Sequence, residues 1–204
     1  MADGAIPSGQ GVSQEGWLTD SWYFACTSDE LKPGAQFRRV ILGQPVLLGR
    51  TPAKAGGEAT GRGGAAFALR DICPHRLVPL SAGRQVETDG RATIQCPYHG
   101  WRFEAESGRC ALMPSLVSPD AYPFEKVRVR RYPVHEADGM VFVYVAHDPR
   151  AEAAPALPPP YFQLGGRRPK FVVVATFNAH MDAAVVGLMD PAHVPFVHDQ
   201  WWWR

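Results

Sequence analysis

Two short stretches of the chain each pair a thiol with an imidazole. They are Cys73-Pro74-His75 and Cys96-Pro97-Tyr98-His99. Together they offer two thiolates and two ring nitrogens, a donor set for a bound metal. A tetrahedral zinc site of the Cys2His2 kind is one reading. Zinc modules usually group cysteine with cysteine and histidine with histidine along the chain, whereas here each half is mixed. Each half also carries a proline and lies between strand-like runs, which places both in loops at the tip of a β fold. The mixed halves suit a [2Fe–2S] cluster in which two thiolates hold one iron and two histidines hold the other.

A second constellation lies downstream, as Asp190-x-x-His193-x-x-x-x-His198. Two histidines and a carboxylate can hold Fe(II) while leaving coordination positions open for O2 and substrate. Alone the pattern is weak, because histidines and aspartates beside helix ends are commonly capping or solvated groups. Of the remaining candidates, Cys26 and Cys110 lack histidine companions and read as buried thiols. His135 and His147 lie beside turn sequences and read as solvated. His180 sits near a strand–helix junction and is a weaker candidate for lining an iron pocket.

The segments CPHRLVPLSAG (73–83) and CPYHGWRF (96–103) closely resemble the Rieske domain of the Rieske non-haem iron oxygenases, the aromatic-ring-hydroxylating and demethylating family, over about Trp17 to Asp148. The resemblance implies that Cys73 and Cys96 bind the inner iron and that His75 and His99 bind the outer iron, with the ring edges near the surface. Gly100 would allow close backbone approach, and Trp101 would pack under the loop. Respiratory-chain Rieske proteins carry an extra cysteine in each loop, forming a disulfide; Leu77 to Leu80 and Tyr98 stand in the corresponding neighbourhoods here. The oxygenase branch implies a potential at the low end of the roughly −150 to +300 mV Rieske range. Electrons would then come from NAD(P)H through a flavin reductase or ferredoxin, not from quinol.

The same resemblance gives the second constellation its weight. His193 and His198 have the family's spacing for mononuclear iron ligands, and Asp190 occupies the place of its bridging aspartate. That residue would hydrogen-bond His193 and His99 of the partner subunit, orienting the ligand and providing an electron route. The family implies a homotrimer arranged head to tail, acting with O2 on a small organic, typically aromatic, substrate by hydroxylation or dealkylation. There are departures. Val186-Gly187 stand where many members have Glu-Asn. The third, carboxylate ligand comes from much later in the family's catalytic domain; Asp199 adjoins His198 too closely to serve, and Asp182 reads as a cap or surface residue. The chain therefore reads as a catalytically incomplete N-terminal portion. Two rivals stay open: a Rieske ferredoxin-like electron carrier without catalysis of its own, and a structural zinc module.

These residues need a frame. An apolar fraction of 46% in 204 residues can bury a core, and 20 Gly with 19 Pro favour a turn-rich β architecture. A net charge of +1 gives no electrostatic case for nucleic acid or a membrane surface. The N-terminus has no apolar signal core, and the longest apolar run is far short of the ~20 residues of a membrane helix. The expected location is cytoplasmic. The expected fold is mainly β: a mobile tail at 1–16, a Rieske β-sandwich over 17–148, a Pro/Ala-rich linker over 149–169 and the start of an α+β, helix-grip-like catalytic domain over 170–204. Strands are expected at 37–43, 45–50, 65–70, 91–96, 125–132, 139–145 and 170–177, with a long hairpin loop between 50 and 65. A helix is expected over 183–189, stopped by Pro191.

Overall fold

The structure, a computed structural model, describes residues 17–53, 63–118, 122–148, 155, 157–160, 178–179, 181–190 and 192. The expected tail, most of the linker, the strand at 170–177, and His180, His193, His198 and Asp199 lie outside the described residues. The chain divides into two compact units, Met1–Arg168 and Pro169–Arg204.

The first unit is mainly β. Its strands are β1 (Ser21–Thr27), β2 (Gln36–Ile41), β3 (Gln44–Arg50), β4 (Ala66–Arg70), β5 (Arg84–Thr88), β6 (Arg91–Gln95), β7 (Arg102–Glu104), β8 (Cys110–Leu112), β9 (Arg131–Tyr132), β10 (Val134–Ala137) and β11 (Met140–Val145). They form three antiparallel sheets, ordered β1-β11-β10, β2-β3-β4-β9 and β5-β6-β7-β8.

Two-residue turns fix the local pairings. Asp89-Gly90 joins β5 to β6 and Asp138-Gly139 joins β10 to β11, both with positive φ at the two positions. Such turns match the twist of the strands they connect, and Asp-Gly is among the pairs best able to adopt them. Leu42-Gly43 makes the same kind of turn between β2 and β3 with a leucine at φ 50°, a conformation that costs a branched side chain energy. The 50–65 segment does connect paired strands, since β3 and β4 are antiparallel from Val46↔Arg70 to Arg50↔Ala66.

The expected strand at 125–132 is mostly something else. Pro123 leads into a 3-10 turn, Phe124–Lys126, and only Arg131 and Tyr132 join a sheet. Proline fixes its own φ and cannot donate to a ladder. After the turn, Val129 is buried beside exposed Arg128, which forms an isolated antiparallel bridge with Arg109.

Two apolar clusters fill the unit. One, built on Val46, Leu48, Tyr132, Val141 and Val143, lies between the first two sheets. The other packs Leu47, Leu69, Leu80, Ile94 and Phe103 around Cys73 and Cys96, so the two thiols belong to the core. Cys26 and Cys110 are also buried, and all four cysteines are free thiols. His135 lies within β10 against the Trp22 ring, at a centroid distance of 6.0 Å. His147 is exposed and its Nδ1 lies 3.2 Å from Thr19 Oγ1.

In the second unit a helix, α1, spans Met181–Met189, beginning two residues earlier than expected. Asp182 therefore sits inside its first turn. Asp190 follows the last helical residue. Among the described residues, no helix is long and apolar enough to cross a membrane.

Candidate metal centre

The two Cys/His loops are built on one backbone design. In the first, the Leu77 N–H donates to Cys73 O (2.9 Å) and the Cys73 N–H to Val78 O (2.9 Å). In the second, the Gly100 N–H donates to Cys96 O (3.1 Å) and the Cys96 N–H to Trp101 O (2.8 Å). Each loop thus closes on its cysteine through the residues four and five positions later. Each also turns through a left-handed residue at the fourth position, Leu77 at φ 58° and Gly100 at φ 71°. The need for glycine at 100 comes from this turn and from Pro114, whose Cγ would lie 3.2 Å from an added Cβ.

This design sorts the donors by depth. Cys73 and Cys96 are 1% and 2% exposed, and their side chains hydrogen-bond each other. The backbone N–H groups of His75 and Arg76 also donate to the Cys73 sulfur. Burial pushes the Cys73 thiol up to about 11, with the neighbouring Cys96 adding to the rise against those two donors. A thiolate there needs a cation beside it, which a bound metal supplies. The imidazoles lie at the opposite extreme. His75 and His99 are exposed, with ring centroids 4.6 Å apart and planes inclined at 60°. Desolvation, with His99 and Arg76 nearby, holds His75 below the usual histidine range, favouring the neutral ring that binds metals.

Two thiols facing each other in the core and two rings facing each other at the surface fit a two-iron cluster. A single tetrahedral ion would need all four donors around one point. Among the described residues, no three His, Cys, Asp or Glu side chains are gathered in that way.

The first loop is braced from behind by Asp71, which is 1% exposed. Its Oδ1 accepts the Ser81 N–H (2.6 Å) and its Oδ2 the Ser81 hydroxyl (2.7 Å), so residues 72–80 are clamped at their base. Arg38 Nε lies 3.8 Å from Oδ2. Replacing Asp71 by alanine strands the Ser81 N–H and hydroxyl and should cost about 2–4 kcal/mol, since bonds to a charged acceptor contribute ~1.5–3 kcal/mol each and are not additive. Denaturant unfolding measures this, and chelator challenge should strip iron from Asp71→Ala faster than from the unaltered protein. Equal unfolding midpoints would refute the clamp.

Sequence reasoning placed Cys73, His75, Cys96 and His99 in two loops, and the structure brings these loops together. It missed Asp71 and Ser81, whose only local signal is their position flanking the first loop. It also missed the partner of Trp101. That indole packs on the core as expected, but it lies flat on the His75 ring, with centroids 4.5 Å apart and planes within 1°. Asp190 is exposed, and its Oδ1 accepts the Ala192 N–H (2.9 Å) in a turn after α1.

Residues 21–133 match the model of the Rieske [2Fe-2S] domain. The chain is 39% identical, over 67% of its length, to the oxygenase subunit of 3-chlorobenzoate-3,4-dioxygenase from Comamonas testosteroni, and it covers 28% of that protein. The crystal structure of dicamba monooxygenase bound to dicamba superposes with a TM-score of 0.51 at 34% identity, covering 69% of this chain and 36% of that one. The reduced complex between oxygenase and ferredoxin in carbazole 1,9a-dioxygenase also gives 0.51, at 28% identity and 64% and 30% coverage. The chain thus spans roughly a third of the length of each of these relatives.

Proposed function

Because the chain belongs to the Rieske [2Fe-2S] domain family, we propose that it is the electron-receiving portion of a Rieske non-haem iron oxygenase, with Cys73, Cys96, His75 and His99 holding the cluster. The observation that carries this reading is the sorting of the donors, with thiols paired in the core and imidazoles paired at the surface. When bound, the cluster supplies one-electron transfer, and a mononuclear Fe(II) supplies O2 activation. His193 and His198 would hold that second iron together with a carboxylate, and Asp190 would orient His193. The exposed His75 and His99 edges offer an incoming or outgoing electron its shortest path, while the core insulates the thiolate side. A ferredoxin or flavin reductase drawing on NAD(P)H would be the donor; a solved structure of carbazole 1,9a-dioxygenase is a complex between its oxygenase and ferredoxin. The substrate would be a small organic molecule, aromatic by analogy with chlorobenzoate and dicamba in the names of the relatives, and the resemblance to the oxygenase family implies a homotrimer.

Iron analysis and oxygen consumption on the natural protein test the second centre. His193→Ala should lose the mononuclear iron and substrate-coupled O2 uptake while keeping the visible spectrum and acid-labile sulfide of the cluster. Full iron content with undiminished turnover in that variant would remove His193 from the site. A colourless, sulfide-free protein would defeat the cluster reading itself.

A further inference from the structure

Trp101 touches both loops of the metal centre. Its backbone carbonyl accepts the Cys96 N–H (2.8 Å) and so closes the second loop. Its indole crosses to the first loop and lies parallel to the His75 ring at 4.5 Å. Behind it the ring packs near Phe103, with centroids 6.5 Å apart, in the apolar cluster that contains both thiols. The indole N–H is enclosed and has no hydrogen-bond partner among the described residues, so the placement of this side chain is governed by ring packing. The two loops share no disulfide, all four cysteines being free.

We infer that Trp101 is a positioning residue for His75: its stacked indole fixes the imidazole plane across the gap between the loops and holds the reduction potential of the cluster down. The inference rests on His75 being a cluster ligand. A ring held flat on one face cannot rotate about its Cβ–Cγ bond without losing the stack, and such aromatic contacts contribute about 0.5–1.5 kcal/mol.

The sign of the electronic effect follows from charge. Two ferric ions, two sulfides and two thiolates sum to zero, so one-electron reduction leaves a net negative charge. An electron-rich indole face favours the more positive, oxidised state. The indole also keeps water from that side of the ligand, and water would stabilise the negative, reduced state. Removing it pushes the potential upward by both routes.

The experiment is a dithionite titration of the holoprotein at one pH, followed by electron paramagnetic resonance of the reduced state. Unaltered protein must first show the cluster spectrum; if it does not, the assignment of the ligands fails and not the role of Trp101. Trp101→Leu should then raise the midpoint potential and shift the g values at unchanged iron and sulfide content. Trp101→Phe keeps a ring with a weaker face and no N–H, and should shift the potential in the same direction by less. If the leucine variant loses its cluster, the phenylalanine variant decides. An unchanged or lowered potential in whichever variant decides overturns the inference.

Discussion

Cys73→Ser should yield protein without the visible absorption of the cluster, with acid-labile sulfide at background and iron reduced by the cluster's share, yet with the β-rich circular dichroism of the unaltered chain. Serine nearly matches cysteine in size, so the 1%-exposed site can accept it with little repacking. What it cannot supply is an anion. A buried thiol already pushed up to about 11 ionises when iron is beside it; a buried hydroxyl starts several units higher and is a harder, poorer ligand for a cluster iron. Losing one inner ligand leaves Cys96 as the lone thiolate at that iron. Cys26→Ser is the matched control. Cys26 is equally buried at 1%, and its thiol is pushed up to about 12 by burial and then by Glu30, but no histidine accompanies it. It should keep full colour. Retention of colour and sulfide by Cys73→Ser would remove Cys73 from the ligand set. Zinc without sulfide in the unaltered protein would revive the zinc module.

Contrasts among particular residues show which parts of this were legible in the sequence. The donors were legible because their chemistry is local: a thiol and an imidazole two or three positions apart advertise a metal at once. The strands β2, β3, β4, β6 and β11 were legible because apolar runs between turn residues are also local, whereas β1, β5, β7, β8 and β10 were not singled out. The segment 125–132 was only partly legible: its start lies in the 3-10 turn Phe124–Lys126 that follows Pro123, and its regular pairing is confined to Arg131 and Tyr132. The supports of the site were illegible for a different reason. Asp71 reads as an ordinary acidic residue until Ser81, ten positions on, closes on both of its oxygens. Leu77 carries no mark of its left-handed backbone, which becomes visible only beside Gly100 at the same place in the twin loop. The stack of Trp101 on His75 depends on the docking of one loop against the other, which no window of sequence contains.

Arg50 makes the second large prediction, and it concerns the β frame of the first unit. Arg50 ends β3 and is 2% exposed. Its Nε donates to Leu31 O (2.7 Å) and its Nη1 to Gly64 O (3.3 Å). Its Nη2 lies 2.9 Å from both carboxylate oxygens of Glu136, on β10 in another sheet. One guanidinium therefore ties two sheets and two loops together. Arg50→Ala would leave the Leu31 carbonyl without this donor and the Glu136 carboxylate, whose side chain is 22% exposed, without its buried cation. Removing one member of such a pair costs about 3–5 kcal/mol. At ~2–4 °C per kcal/mol for a chain of this size, Tm should fall by roughly 6–20 °C. Replacing both partners separates the causes. Arg50→Met with Glu136→Leu removes the stranded charge and restores apolar volume, so the double variant should recover much of the loss. A double variant no more stable than Arg50→Ala would instead place the stabilisation in the bonds to Leu31 and Gly64. A fall of under about 1 kcal/mol in Arg50→Ala would reduce the pair to the worth of a surface ion pair, despite its burial.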